Sequence, residues 1–264
     1  MIKAIDMHGH FGNWDYGANS LKDRLLSGSI DVVRSRAEKA GIGLTVVSSC
    51  EGLVPYGGNA IAANEEACKL AEKYSDILFW AILNPKVPDS FKQVKALLSH
   101  PRCAGIKIHP LEHSYEIAER GDAIFEFAAS GNALVLSHSG NAGSFPEDLV
   151  FFANKYAQVR LILAHLGWST DDNFSRQVWA LKHSQTANVY IDTSSVNSMY
   201  AGLIEWAVDE IGYEHILFGT DTPLHFSVCQ KVRIEYAEIP RDAKIAILRN
   251  NAEKLLGILS SKGK

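Results

Sequence analysis

Two histidines stand close together near the start of the chain, at the end of an apolar run. The run covers residues 1–10, and the histidines are His8 and His10. Alternate side chains of a strand lie on the same face, so we expect the two imidazoles to lie side by side. Neighbouring imidazoles are suitable ligands for a borderline divalent ion such as Zn²⁺. Such a pair alone is a weak signal, because two histidines also occur at ordinary strand ends.

Four later apolar segments also end in a histidine or an aspartate. These residues are His109, His138, His165 and Asp221. If the segments are parallel strands of a barrel, their carboxyl ends meet on one face, where the active sites of such barrels lie. On the segment that ends at His109, alternation also turns Lys107 inward. An inward lysine is costly unless it is paired or functional, and for Lys107 and His109 structural and functional roles are equally open.

Eight strand-like segments follow one another along the chain, each with a helical pattern after it. The strand-like segments are residues 1–10, 44–49, 77–83, 103–110, 133–140, 159–167, 189–195 and 216–221. The helical segments are roughly residues 29–39, 59–74, 88–98, 115–130, 146–157, 171–184, 199–210 and 240–256. This alternation predicts an α/β fold, a (β/α)₈ TIM barrel forming a single domain over residues 1–264. A doubly wound open sheet is disfavoured, because no G-x-G-x-x-G follows the first strand.

The composition argues against several classes of protein. The formal net charge of −4 provides no basic surface for nucleic acid or an anionic membrane. No apolar run approaches the roughly 18 residues of a membrane-spanning helix, and we expect no signal peptide. The four cysteines are scattered without a C-x-x-C pair, which predicts reduced thiols in a cytoplasmic protein. The expected partner is a small-molecule substrate, and a homodimer is compatible with the sequence.

The strand-end residues suit metal-assisted hydrolysis. Three imidazoles and one carboxylate can hold a metal ion and leave one position for water. The ion lowers the pKa of that water toward about 7, which makes hydroxide available at neutral pH. Asp221 can bind the metal and take the proton of the water, and His165 can orient the water or stabilise charge on the substrate.

Six short motifs together resemble a known family. They are I-D-M-H-G-H (residues 5–10), G-I-K-I-H-P (105–110), L-S-H-S-G (136–140), A-H-L-G (164–167), F-G-T-D-T-P (218–223) and I-L-R-N-N-A-E-K-L-L (247–256). As an ordered set they resemble the amidohydrolase superfamily, in the amidohydrolase-related branch that includes aminocarboxymuconate-semialdehyde decarboxylase and several lactone hydrolases. The resemblance implies that His8, His10, His138 and Asp221 bind the metal. It also implies that His165 is catalytic, or binds a second metal in binuclear members.

The role of Lys107 depends on the number of metals. Binuclear members of this superfamily often use a carbamylated lysine on the fourth strand as a bridging ligand, and Lys107 lies on the matching strand. We expect one divalent metal, zinc, with an uncarbamylated Lys107 that acts on the substrate or on Asp221. Two metals are the alternative.

Three functions compete. The leading expectation is a metal-dependent hydrolase that cleaves a C–O or C–N bond of a small ester, lactone or amide. The alternative is a metal-dependent, non-oxidative decarboxylase of a small aromatic or muconate-like acid. A barrel used only for binding is disfavoured, because no metal ligand is missing.

The arginines weaken the decarboxylase alternative. A substrate carboxylate is commonly held by arginine, yet Arg102 and Arg160 lie early in their strands, so only Arg24 and Arg233 remain as anchors. Specificity is expected in the loops 11–29, 50–59 and 224–239. Two further histidines in loops on the active-site face, His113 and His225, could touch the substrate.

Overall fold

Eight parallel strands form one sheet in the order of the sequence in the computed structural model, which describes residues 2–18, 20–54 and 59–257. They are β1 Ala4–Phe11, β2 Ile42–Ser49, β3 Ile77–Ile82, β4 Cys103–Ile108, β5 Leu134–Ser137, β6 Arg160–Leu163, β7 Val189–Asp192 and β8 Ile216–Leu217. The chain after β8 returns to β1, where the Met7 amide donates to the Phe218 carbonyl at 2.9 Å and the Asp221 amide to the His8 carbonyl at 2.7 Å. The predicted (β/α)₈ TIM barrel is confirmed.

Helices surround the barrel. They are α1 Leu21–Leu26, α2 Ile30–Ala40, α3 Ala60–Lys73, α4 Pro88–Leu97, α5 Ile117–Ser130, α6 Pro146–Lys155, α7 Arg176–Lys182, α8 Leu203–Ile211, α9 Ser227–Glu235, α10 Arg241–Ile245 and α11 Asn251–Leu256. The π-helical turn Ala246–Asn250 joins the last two. Within the described ranges, no helix has the length and apolar character needed to cross a bilayer.

Two helices lie where the sequence predicted only loops. The first, α1, begins at Ser20, whose hydroxyl accepts from the Asp23 amide while the Asp23 carboxylate accepts from the Ser20 amide. This reciprocal capping stabilises a helix of only six residues. The second, α9, contains the buried side chain of Ile234. Both helices therefore give regular structure to loops that border the active-site face.

An apolar plug fills the lower half of the barrel. Trp80 is fully buried there, packs with Met7 and Leu136, and donates its indole N–H to the Met7 carbonyl at 2.9 Å. Ala252 and Leu255 of α11 belong to the same cluster and close the amino-terminal end of the barrel. The polar site above the plug thus lies on a rigid floor.

A register shift in β1 controls the direction of the two histidines. Between Asp6 and Gly9 the strand advances three residues while β2 advances two. Ile5 and Met7 point into the apolar plug inside the barrel. Because of the additional residue in β1, His8 and His10 also point into the barrel, although His8 directly follows Met7. Without this bulge, strict alternation would place the histidines opposite to Met7. The sequence pattern predicted that the histidines share a face but contained no signal for the bulge.

The four cysteines are all free, with Cys50 buried and Cys229 exposed. This agrees with the expectation of reduced thiols. The cytoplasmic location inferred from them stays a prediction.

Candidate active site

Three residues form what we call the β1–β8 side of the site: His8, His10 and Asp221. The Asp221 Oδ1 atom lies 3.1 Å from Nε2 of His10 and 3.7 Å from Nε2 of His8. The two imidazole centroids are 5.1 Å apart, and all three side chains are buried. Two imidazole nitrogens and one carboxylate oxygen therefore converge within 4.8 Å of one another.

The two imidazoles are fixed from behind. The Nδ1 atom of His8 lies 2.8 Å from Oδ2 of Asp192, and Nδ1 of His10 lies 2.9 Å from Oγ of Ser48. A carboxylate can only accept, so Nδ1 of His8 carries the proton and its lone pair is at Nε2. Lys107 donates to this nitrogen at 3.0 Å. Such outer partners orient metal-binding histidines in proteins.

The ionisation states on this side fit a divalent metal ion. Burial lowers the pKa of His10 to about 4, so its imidazole is neutral at neutral pH. Burial alone would raise the pKa of Asp221, but the hydrogen bond with His10 and the neighbouring imidazoles hold it well below the usual value. Neutral imidazoles and an ionised carboxylate are the forms that bind metals. The donor set therefore supports a bound divalent metal.

Asp192, at the end of β7, was missed by the sequence analysis. Besides His8, it accepts from the backbone amides of His165 and Ser194 at 3.0 Å each and from the Ser194 hydroxyl at 2.5 Å. Burial would raise its pKa, but the neighbouring His8 and His165 and these hydrogen bonds hold it well below the usual value. Its signal was present, because the seventh strand-like segment contains an aspartate just as the eighth ends in Asp221.

His138 and His165 form the β5–β6 side of the site. The Nδ1 atom of His138 lies 3.0 Å from Nε2 of His165, so a hydrogen bond joins the two rings. Nε2 of His138 lies 2.6 Å from Oδ1 of Asn141, and Nδ1 of His165 lies 2.7 Å from Oγ of Ser194. Burial lowers the pKa of His138 to about 4 and that of His165 well below its usual value.

His138 has a side-chain hydrogen-bonding partner at each of its ring nitrogens. Both of its ring nitrogens are engaged, one by His165 and the other by Asn141. The expectation that His138 binds the metal is untested, and we propose below a different role for this residue, as the partner of His165.

Two non-glycine residues of the site adopt left-handed backbone conformations. His165 has φ = 71° and Asp221 has φ = 57°. The Asp192 carboxylate holds the His165 amide, and the His8 carbonyl holds the Asp221 amide. Such conformations are costly and persist where surrounding contacts determine them, most often at functional sites.

The two inward residues of β4 have different surroundings. Lys107 is fully buried, and burial lowers its pKa to about 8, against the opposing effect of Asp221 and Asp192. His109 stacks on His138 with ring centroids 4.1 Å apart and an interplanar angle of 10°. Thus Lys107 lies beside the β1–β8 side, and His109 supports the β5–β6 side.

The remaining candidates divide into those that reach the site and those that do not. Arg24 is exposed on α1. Arg233 donates to the carbonyls of Ser198 and Thr193, and so supports the loop after β7 rather than a substrate. His113 lies 3.0 Å from the Gly52 carbonyl in another cavity. Residues 55–58 of the expected specificity loop 50–59 lie outside the described residues.

A small cavity connects the two sides. Its volume is about 170 Å³, and it is lined by His138, His165, Trp168, Ser195, Val196, Asp221 and His225. Of the two loop histidines considered in the sequence, His225 therefore reaches the site.

Comparison with known proteins places this geometry in context. An amidohydrolase family model matches residues 5–258. No curated protein sequence matches the chain. A 2,6-dihydroxybenzoate decarboxylase from Rhizobium is 15% identical with a TM-score of 0.75, and the alignment covers 97% of this chain and 99% of that one. A 5-carboxyvanillate decarboxylase from Sphingomonas paucimobilis is 13% identical with a TM-score of 0.72, covering 98% and 100%.

A third similar structure contains a metal. It is a dihydroxybenzoic acid decarboxylase from Polaromonas sp. JS666 with bound manganese and the inhibitor 2-nitroresorcinol. It is 18% identical with a TM-score of 0.72, and 97% of each chain is covered. At these identities the likeness shows the fold.

These findings correct the expected reaction. The prediction of a hydrolase acting on an ester, lactone or amide is wrong, because the similar structures are decarboxylases. That prediction assumed that a substrate carboxylate needs an arginine, whereas a divalent cation can bind a carboxylate without one. The family model spans nearly the whole barrel, and with the strand-end motifs it shows that the chain belongs to the amidohydrolase superfamily, in its amidohydrolase-related branch.

Proposed function

We propose that the protein is a metal-dependent, non-oxidative decarboxylase of a small aromatic acid. In this reaction the bond between the ring carbon and the carboxylate breaks, carbon dioxide leaves, and the electron pair stays on the ring carbon. A proton then forms the new C–H bond. The observation that carries the proposal is the hydrogen bond between His138 and His165 at the wall of the cavity.

The β1–β8 side would hold the metal through His8, His10 and Asp221. When bound there, a divalent ion supplies positive charge for the substrate carboxylate and stabilises negative charge that develops during the reaction. Zinc stays a prediction, and manganese, found in the Polaromonas enzyme, suits the same mixed nitrogen and oxygen ligands.

The β5–β6 side would supply the proton. Burial keeps His165 and His138 neutral in the free protein. An anionic substrate beside them favours the protonated form of an imidazole, because opposite charges attract more strongly in a buried site. We assign the donated proton to Nε2 of His165, with His138 sharing it before transfer.

Lys107 would support the metal side. In the metal-free structure its amine donates to Nε2 of His8, the atom that faces Asp221. A metal ion bound to this nitrogen would take the lone pair that accepts from Lys107, and the amine would then lie beside the metal. Because a metal ion repels an ammonium group, and burial already lowers the pKa of this lysine, we expect a neutral Lys107 in the metal-bound protein. A carbamate on Lys107 would need a second metal ion to stabilise it, so with one metal we expect the lysine to be uncarbamylated.

The reaction is tested with metal-loaded protein in D₂O and a panel of hydroxybenzoates. We expect carbon dioxide to be released in equal amount to the product, with one deuterium at the carbon that lost the carboxylate. His183 on the outer face after α7 provides a matched control, and a His183→Asn variant should act like the wild type. Turnover that places ¹⁸O from labelled water in the product without carbon dioxide release would contradict the proposal.

A further inference from the structure

A second group of metal-binding side chains lies outside the barrel. Cys68, Glu72 and His100 bring one sulfur, one oxygen and one nitrogen atom within 4.8 Å of one another. His100 precedes β4, so the group lies toward the amino-terminal ends of the strands, opposite to the active site. The reaction proposed above does not use these residues. We call them the α3–β4 cluster.

Helix α3 places two of the three side chains on one face. Cys68 and Glu72 are four residues apart in α3, and such positions are neighbours on a helix surface. Glu72 is exposed, whereas Cys68 is half-buried. The Cys68 thiol makes no hydrogen bond with any residue that the structure describes. Its sulfur is therefore available as a ligand.

The turn before β4 fixes the third side chain. The His100 amide donates to the Leu97 carbonyl at 2.9 Å, and the His100 carbonyl accepts from the Cys103 amide at 3.0 Å. The imidazole packs against the ring of Phe79, with centroids 5.9 Å apart. Its Nε2 atom lies 3.2 Å from Oε1 of Glu72. A rigid turn thus holds this ring against the carboxylate of α3.

The three donor atoms match those of a zinc site. Thiolate, imidazole and carboxylate groups bind Zn²⁺ tetrahedrally at about 2.0–2.3 Å, which places the ligand atoms roughly 3.3–3.6 Å apart. The contact between His100 and Glu72 already has nearly this separation, and a small rotation of the Cys68 side chain would complete the set. The charges of the thiolate and the carboxylate would balance those of a divalent cation, with the fourth position left for water.

Metal binding here has an identifiable cost. The Arg102 amide donates to Nδ1 of His100 at 3.2 Å, so Nε2 of the neutral ring carries the proton. A metal ion at Nε2 requires the other tautomer and breaks this hydrogen bond. The Cys68 thiol must also lose its proton, although burial and the neighbouring Glu72 raise its pKa. We therefore expect weaker binding than in the buried barrel site, and loss of this metal on desalting.

We propose that the α3–β4 cluster is a zinc site, separate from the catalytic centre, in which Cys68, Glu72 and His100 bind one ion. The ion would link α3 to the turn before β4 and stabilise the folded barrel by mass action. A thiolate favours Zn²⁺ or Co²⁺ over Mn²⁺, whereas the imidazoles and carboxylate of the barrel site also suit Mn²⁺. The two sites therefore differ in the metals that they select.

Cobalt is the probe, because a thiolate bound to Co²⁺ gives a charge-transfer absorption in the near ultraviolet that imidazole and carboxylate ligands do not give. Desalted, Mn²⁺-loaded protein is titrated with Co²⁺ in the presence of a phosphine reductant. The absorption should appear in the wild type and be lost in Cys68→Ser. Loss of an outer partner alone weakens metal binding by about 10- to 100-fold in other sites, so loss of a ligand in His100→Asn or Glu72→Gln should weaken Co²⁺ binding at least about tenfold.

Two controls locate the signal. Cys229→Ser removes an exposed thiol of α9 and should leave the absorption unchanged. The His8→Ala, His10→Ala double variant should also retain it, because only ligands of the barrel site are replaced. The titration contains no substrate, so its result does not depend on the decarboxylase function.

Thermal unfolding tests the stabilising role. In the His8→Ala, His10→Ala double variant, added Zn²⁺ should raise the unfolding midpoint, and the rise should disappear when Cys68→Ser is added to it. An absent rise would remove the stabilising role. No absorption in the wild type at millimolar Co²⁺, or equal absorption in Cys68→Ser, would overturn the site itself. Unchanged Co²⁺ affinity in both His100→Asn and Glu72→Gln would also overturn it, because a single thiol would then account for the signal.

Discussion

The two sides of the cavity use the same residue type in opposite ways. On the β1–β8 side, Asp192 and Ser48 hold Nδ1 of His8 and His10 from outside, so that their Nε2 atoms face Asp221. On the β5–β6 side, His138 and His165 face each other. All four imidazoles have a partner on their outer side, which for His138 is Asn141 and for His165 is Ser194. They differ in the inner nitrogen, which faces a carboxylate on the β1–β8 side and another imidazole on the β5–β6 side. The first arrangement suits holding a cation, and the second suits proton transfer.

The largest effect is expected from removing the metal ligands. A His8→Ala, His10→Ala double variant should lose its bound metal and at least about a thousandfold in kcat/KM, because the charge of the ion is lost from the reaction. Elemental analysis of gently purified protein gives the metal content. His138→Ala should keep the metal. If that variant also loses it, His138 is a ligand as the family resemblance implied, and the distinction between the two sides fails.

Replacing the proton donor should separate catalysis from metal binding. His165→Asn is expected to lower kcat by about a hundredfold or more, the usual size of general acid–base catalysis, while metal content and KM stay near those of the wild type. Steady-state kinetics and metal analysis of one preparation provide both values. Unchanged turnover would remove His165 from the reaction.

Asp192 connects the two sides, since it contacts both His8 and the backbone of His165. Asp192→Asn should weaken metal affinity by about 10- to 100-fold, as loss of an outer-sphere partner does in other metal sites. Asp6 is a matched control, because it is equally buried but binds Thr220 and backbone amides rather than an imidazole. Competition with a chromogenic chelator measures the affinities. Equal weakening in Asp6→Asn would reduce the role of Asp192 to general packing.

The sequence predicted the barrel because its signals are local and repeated. Each strand-like segment is apolar and ends at a polar residue, so the common face of His8, His138, His165 and Asp221 followed from topology alone. Lys107 pointed inward as alternation required.

The features of the site that the sequence did not predict depend on contacts between distant segments of the chain. Asp192 and His8 are 184 residues apart, and a single aspartate after a strand does not reveal which imidazole it binds. The β1 bulge depends on pairing with β2. The predicted reaction was wrong because an arginine was expected to bind the substrate carboxylate, whereas Arg233 supports the loop after β7.

Acid should lower the free energy of unfolding of the metal-free protein through imidazoles on both sides of the cavity. This is the smallest of the expected effects, and it can be measured for each side separately. Burial lowers the pKa of His10 and His138 to about 4, below the ordinary value of 6.5. Between these values the unfolded chain binds protons that the folded chain does not. The stabilisation is therefore complete above pH 6.5 and is lost as the pH falls toward 4. Each imidazole contributes up to about 1.4 kcal/mol per pH unit.

Urea unfolding of metal-free protein at several pH values between 7 and 4.5 measures this dependence. His138→Asn should reduce the slope of the free energy of unfolding against pH, by an amount that corresponds to the binding of up to one proton. His183→Asn on the outer face should leave this slope unchanged. Added metal should steepen the acid dependence through the β1–β8 side, because protons then compete with the ion for His8 and His10. His138→Asn should retain this metal-dependent part in full. If the variant loses it, metal binding and proton transfer share one set of imidazoles, and the two sides of the cavity are not chemically distinct.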